Sequence, residues 1–155
     1  MATLNLRAGA RPNELQRYRS RISGPLLDRI DIHIEVPSVK YKELVEISPC
    51  ESSAQIRERV KKARDIQLER FKDEKIFCNA SMNHKLIRKY CKLGQKKQDL
   101  LKMAMTELNF SARAYNKILK IARTIADIEA AENINADHIS EAIQYRSLDR
   151  DIFFS

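Results

Sequence analysis

Tryptophan is absent from this chain and glycine is scarce, with Gly9, Gly24 and Gly94 the three present in 155 residues. None of them falls in a G-x-x-x-x-G-K-S/T pattern, so there is no phosphate loop, and no acidic strand end accompanies one to hold magnesium. Nucleotide hydrolysis by this stretch alone is therefore not expected. Aromatics make up 6% of the chain, which points to a core of Ile, Leu, Ala and Met, the material of helices packed on helices. Cys50, Cys78 and Cys91 form an odd set, widely spaced and without a C-x-x-C, indicating neither a disulfide framework nor a zinc site. They read as reduced thiols of a cytoplasmic protein. No apolar run approaches membrane-spanning length, and the N-terminus lacks the apolar stretch of a signal peptide, so no membrane partner is expected.

What is present is basic. A formal charge of +8 and a pI near 9.5 give a positive field that favours anions, whether nucleic acid, nucleotide or an acidic protein face. An apolar content of 43% is ordinary for one domain with a modest core.

Along the chain, Met1 to about Pro12 shows no period and reads as a disordered lead-in or a cloning remnant. Leu15, Tyr18 and Ile22 suggest a short helix within 13–22 that stops at Ser23-Gly24-Pro25. Strict alternation follows, with Ile30, Ile32, Ile34 and Val36 set against Asp31, His33 and Glu35, and predicts a half-buried strand over 30–36 that ends at Pro37. Residues 41–47 are ambiguous. Ser52 and Gln55 have capping-box spacing ahead of a helix that runs to about Lys72 and carries Ile56, Val60, Ala63, Gln67 and Phe71 as one stripe. Further helices are predicted over 83–93, up to the break at Gly94, and over 95–108, up to Asn109. Ser111 caps the next, with Tyr115, Ile118, Leu119, Ala122, Ile125 and Ala126 inward and Arg113, Asn116, Lys117, Lys120, Thr124 and Asp127 outward. Asn135 caps the last, which turns Ile139, Ala142 and Ile143 inward. The class is mainly α, a helical bundle with one short strand near its N-terminal side.

Two arginines and one basic stretch carry the candidate chemistry. Arg29 follows a Gly-Pro turn at the edge of the predicted strand, where a guanidinium can reach an anion on a neighbouring surface. The alternative is a salt bridge to Asp28 or Asp31. Arg113 falls at the second position of its helix, where a cation is unfavourable by about 0.3–1 kcal/mol unless an anion sits nearby. Phosphates would be such an anion, and pairing with a carboxylate such as Glu107 is the other reading. Lys85, Arg88, Lys89, Lys92, Lys96 and Lys97, with Tyr90 among them, form the densest basic stretch, which suits either phosphate contact or a solubilising surface. His33, His84 and His138 stand apart from acidic or thiol partners at ligand spacing, so no metal site is expected. No catalytic triad or paired-carboxylate signature appears.

Two stretches, Ser23-Gly-Pro-Leu-Leu-Asp-Arg-Ile-Asp31 and Phe110-Ser-Ala-Arg-Ala-Tyr-Asn-Lys-Ile-Leu-Lys-Ile-Ala-Arg-Thr-Ile-Ala-Asp127, together resemble the magnesium-chelatase-like AAA+ family. That group includes the ComM competence proteins and is related to the minichromosome-maintenance helicases. The resemblance covers roughly residues 15 to 150. It implies that Arg29 is an arginine finger acting in a neighbouring subunit's site, and that Arg113 is the sensor-2 arginine of a C-terminal lid. It also implies ATP and Mg2+ in the intact protein, a homo-oligomeric ring that is often a hexamer, and action on DNA in branch migration. On this view 13–38 is the end of the AAA+ core, 39–155 is the helical lid, and the chain is the C-terminal piece of a longer ATPase. The rivals are a true magnesium chelatase motor subunit and a stand-alone basic helical domain that binds nucleic acid or protein. The strand over 30–36, parted from its sheet, is expected to be the least stable element, free to fray, pair with another copy or fold onto the lid.

Overall fold

A computed structural model of the chain describes residues 26, 29–34, 36–38 and 50–146. The predicted helix within 13–22, the ambiguous 41–47, the lead-in to Pro12, Asp28 and everything beyond 146 lie outside the described residues. Between 50 and 146 the chain forms five α-helices: α1 Ser53–Arg70, α2 His84–Tyr90, α3 Gln95–Glu107, α4 Ala112–Ile128 and α5 Ala136–Gln144. A 3-10 turn, Asn79–Ser81, lies between α1 and α2.

The helix starts follow from side chains that satisfy the first backbone N–H groups. Ser52 and Gln55 form the expected capping box on α1, Asn83 caps α2 through Leu86 N–H, and Ser111 caps α4 through Ala114 N–H at 3.1 Å. On α5 the box is reciprocal with a histidine, as Asn135 Oδ1 takes the His138 N–H at 2.8 Å and His138 Nδ1 takes the Asn135 N–H at 3.1 Å. That fixes the ring's other nitrogen, Nε2, as the donor to Glu129 at 2.8 Å, and His138 is buried within a cap rather than poised as a ligand.

Two helices end through a left-handed residue that is not glycine. Asn109 (φ 49°) and Ala130 (φ 54°) stand one residue past the caps of α3 and α4. The following N–H groups reach back, Phe110 to Met105 O at 3.1 Å and Ala131 to Ala126 O at 2.8 Å. This is the Schellman arrangement, and it satisfies carbonyls that the helix end would otherwise leave open.

Helix α4 is the centre of the bundle. It packs against α5, α1, α2 and the 3-10 turn, while α3 closes on α5. Ile118, Leu119, Ala122, Ile125 and Ala126 of α4 meet Ile134, Ile139 and Ala142 from the α5 side and Phe71, Leu86, Ile87 and Leu101 from the others. Burying each large aliphatic side chain contributes about 1.5–3 kcal/mol. Tyr115 departs from the expected stripe and stays 38% exposed, as do Ile56 and Val60 of α1 at 42% and 50%. The first three turns of α1 stand away from the bundle, so the stripe becomes buried only from Ala63 onward, through Gln67 to Phe71.

A second correction concerns Asp127, expected on the outward face of α4 and found buried. Its carboxylate receives Arg70 Nη1 at 2.6 Å, Arg70 Nη2, Asn79 Nδ2 at 2.7 Å and Arg123 Nε at 3.0 Å. Arg123 continues to the carbonyls of Glu132 at 2.8 Å and Ala131 at 2.6 Å. Burial pulls the Arg123 guanidinium down from its usual pKa, and the Asp127 charge opposes that pull. One acidic group thus ties α1, the 3-10 turn and the α4–α5 link to the middle of the bundle.

The segment after Arg29 differs most from expectation. Residues 30–34 and 36–38 run without helix or strand pairing among the described residues, because a ladder needs a neighbouring strand. The segment bonds to the end of the bundle instead: His33 N–H to Tyr145 O at 2.8 Å, Arg146 Nη1 to Ile30 O at 2.7 Å, and Lys117 Nζ to Asp31 Oδ1 at 2.7 Å. The segment thus lies against the helices. His33 is buried and Asp31 meets Lys117, while Ile30, Ile32, Ile34 and Val36 are 41%, 46%, 67% and 83% exposed.

Candidate functional site

Arg113 occupies the second position of α4, directly after Ser111 and Ala112, and is exposed. The helix's unpaired N–H groups make this end positive, and the side chain adds a full charge to it, an arrangement suited to an anion arriving from solvent. One turn further on, Lys117 engages Asp31, and Lys120 Nζ donates to Ala80 O at 2.7 Å. Arg123 is wholly occupied in the buried cluster. The cations of α4 therefore pass from exposed to buried along the helix, with Arg113 at the exposed end.

Arg29 is exposed at a turn closed by its own N–H to Leu26 O at 3.0 Å. The residue that follows it is fixed at once, through Ile30 O and Arg146. Asp31, one of the two acids offered as a salt-bridge partner for Arg29, accepts from Lys117 Nζ at Oδ1.

The basic stretch divides. Lys85 and Arg88 on α2, Lys92 in the link that follows and Lys96 at the start of α3 are exposed. Lys89 lies 3.0 Å from Glu74 and 4.7 Å from the Tyr90 ring centre, and Tyr90 and then Glu74 hold its ammonium above the usual lysine pKa. Lys97 donates to Ile134 O at 2.6 Å, so it ties α3 to the approach to α5. An open groove beside α3 is lined by Gln95, Gln98, Asp99, Lys102, Met105, Thr106 and Tyr115, polar and apolar surface in about equal parts. Among the described residues no group of three or more His, Cys, Asp or Glu is placed to hold a metal ion. No helix among them is long and apolar enough to cross a membrane.

Sequence reasoning missed the cluster of Arg70, Asn79, Arg123 and Asp127. The available signal was the Arg123 to Asp127 spacing of four on a helix otherwise rich in Ile and Ala, which puts an opposed pair on one face. Nothing local pointed to Arg70, which is 57 residues from Asp127.

Comparison with known proteins gives consistent matches. The family model described as magnesium chelatase, subunit ChlI C-terminal, matches residues 50–146, and that described as magnesium chelatase, subunit ChlI, matches residues 2–44. Competence protein ComM of Haemophilus influenzae is 44% identical over 140 residues, covering 90% of this chain and 27% of its own length. Uncharacterized protein YifB of Escherichia coli is 39% identical over 143 residues, with the same coverage of 90% and 27%. Uncharacterized protein Rv2897c of Mycobacterium tuberculosis is 26% identical over 131 residues, or 84% of this chain and 26% of its own length. The chain spans about a quarter of the length of these curated relatives.

Proposed function

From the premise that this chain belongs to the magnesium chelatase family, matching its C-terminal model over residues 50–146, we propose that it is the lid-bearing end of a ring-forming AAA+ ATPase. The span 13–38 closes the ATPase core and 39–155 is the lid. Arg113 reads the phosphates of ATP bound in its own subunit, and Arg29 reaches the ATP site of the next. Magnesium coordination and the phosphate loop fall to the rest of the relatives' length, and the ring is a homo-oligomer, a hexamer in this reading, working in the cytoplasm.

The observation that carries the proposal is the exposed Arg113 at the second position of α4, where the helix N-terminus and the guanidinium together present positive charge to an anion. When water attacks the terminal phosphorus and the bond to the ADP oxygen breaks, negative charge spreads over the phosphoryl oxygens. A planar guanidinium that is always ionised meets that charge without a proton transfer, and arginine fingers contribute about 10³–10⁵ to turnover.

The test is ATP turnover by the full-length protein with Arg113→Ala, Arg29→Ala, and an equal mixture of the two. Each single variant should be inactive. The mixture should recover turnover, because a subunit carrying Arg113 beside one carrying Arg29 restores a complete site. Full activity of either single variant would overturn that arginine's role.

The exposed Lys85, Arg88, Lys92 and Lys96 favour DNA as what the ring acts on. Each phosphate they neutralise steepens the fall of affinity with salt by about 0.9 on a log–log plot. Turnover stimulated by DNA, and weakened when Arg88, Lys92 and Lys96 become Ala, supports this. A motor of a true magnesium chelatase would share the arginine roles and show no such stimulation. A stand-alone nucleic-acid-binding domain would bind DNA through these cations with Arg113 and Arg29 dispensable.

A further inference from the structure

Among the described residues, an ion pair joins the segment that carries Arg29 to the helix that carries Arg113, Lys117 Nζ to Asp31 Oδ1 at 2.7 Å. Lys117 lies four residues after Arg113, the next position along the same face of α4. Asp31 lies two residues after Arg29. The Lys117 side chain is 15% exposed while that of Asp31 is 60% exposed, so the lysine is largely covered where it meets a carboxylate that stays open to water. Around the pair, Arg146 holds Ile30 O and Tyr145 O takes the His33 N–H. Those two contacts grip the backbone and would hold any sequence there. The Lys117–Asp31 contact is between side chains, and it leads from the segment directly to α4.

We propose that Lys117 and Asp31 are positioning residues that couple neighbouring ATP sites of the ring. The inference rests on the reading of Arg113 and Arg29 given above. An anion that draws Arg113 toward it shifts the first turns of α4. Lys117, one turn on, carries that shift to Asp31 and so to the backbone that sets where Arg29 points. Occupancy of one subunit's site thereby alters the arginine offered to the next. Neither side chain touches nucleotide in this scheme, and their effect is felt through the two arginines.

The experiment is steady-state ATP turnover by the full-length protein as a function of ATP concentration. Lys117→Gln, Asp31→Asn and the charge swap Lys117→Asp with Asp31→Lys are measured beside Arg113→Ala and Arg29→Ala. Lys117→Gln and Asp31→Asn should each lower kcat about 3- to 10-fold and bring the Hill coefficient toward one, with KM for ATP and the melting temperature little changed. The swap should recover at least half of the lost kcat and the cooperativity, which a residue needed only for folding would not do. Unchanged kcat and Hill coefficient in both single variants would overturn the coupling, and so would loss of activity that the swap fails to restore. If Arg113→Ala and Arg29→Ala are inactive while the Lys117 and Asp31 variants behave as wild type, the coupling alone is wrong. If both arginine variants are fully active, the reading beneath it has failed.

Discussion

Arg113 and Arg123 stand on the same helix, ten residues apart, and have opposite circumstances. Arg123 is 3% exposed, with its guanidinium shared among Asp127, Ala131 O and Glu132 O, whereas Arg113 is exposed in the first turn. The same residue type is buried and fully engaged toward one end of α4 and exposed to solvent at the other. The difference lies in what surrounds each. Inside, a charge persists only when every donor is matched by acceptors, so an interior arginine is committed to its partners. At the N-terminus, a cation set against the helix's positive end is a cost that an anion removes.

The comparison can be broken at several points. Asp127→Ala should have the largest effect, because it strands Arg70 and Arg123 together. A loss of about 3–5 kcal/mol is expected in urea denaturation of this chain followed by circular dichroism, and a loss under 1 kcal/mol would mean that solvent reaches the cluster. Ser111→Ala removes the cap at the opposite end of α4 and should cost about 1 kcal/mol in the same measurement. Ala130→Gly relieves a left-handed residue just past the helix and should raise stability by about 0.5–1 kcal/mol. A fall would show that Ala130 is held there by more than the Schellman bonds. Arg113→Ala should leave stability within about 0.5 kcal/mol of wild type, in contrast with the loss of turnover proposed for it in the full-length protein. A large loss would make Arg113 structural, like Arg123.

Thiol reactivity offers a milder form of the same contrast. Burial pushes the Cys91 thiol up to about 11, against the lowering pull of nearby Arg123 and Arg70. The Ser81 hydrogen bond lowers that of Cys78. At pH 8, iodoacetamide followed by mass mapping should therefore modify Cys78 well before Cys91, and equal rates would indicate that the interior opens on that timescale.

How much of this was legible in the sequence depends on the distance over which the signal acts. Caps at Ser52, Ser111 and Asn135 and the stop at Asn109 are local signals, and the helices begin and end beside them. The inward face of α4 was readable from Ile118, Leu119, Ala122, Ile125 and Ala126 because helical periodicity is local too. The burial of Asp127 was not readable, since its partner Arg70 arrives from another helix and only the assembled bundle makes the interior hospitable to a carboxylate. Periodicity also misplaced Ile56 and Val60, whose stripe continues past the edge of what α4 covers. Of the candidate site, the position of Arg113 followed from its cap, while the grip on the segment after Arg29 depended on Tyr145, Arg146 and Lys117, far along the chain.

The outward-facing row of Ile30, Ile32, Ile34 and Val36 also has a practical consequence for handling the protein. Four β-branched side chains in extended register, set toward water, make a sticky margin of the type that natural proteins blunt with charge or cover with another element. With His33 buried and Asp31 tied to Lys117, this segment turns its apolar row to the surroundings. Solubility should therefore be limited here rather than at the basic helices, and replacing Ile32 and Ile34 with lysine should raise the concentration at which light scattering sets in while leaving the helical spectrum intact.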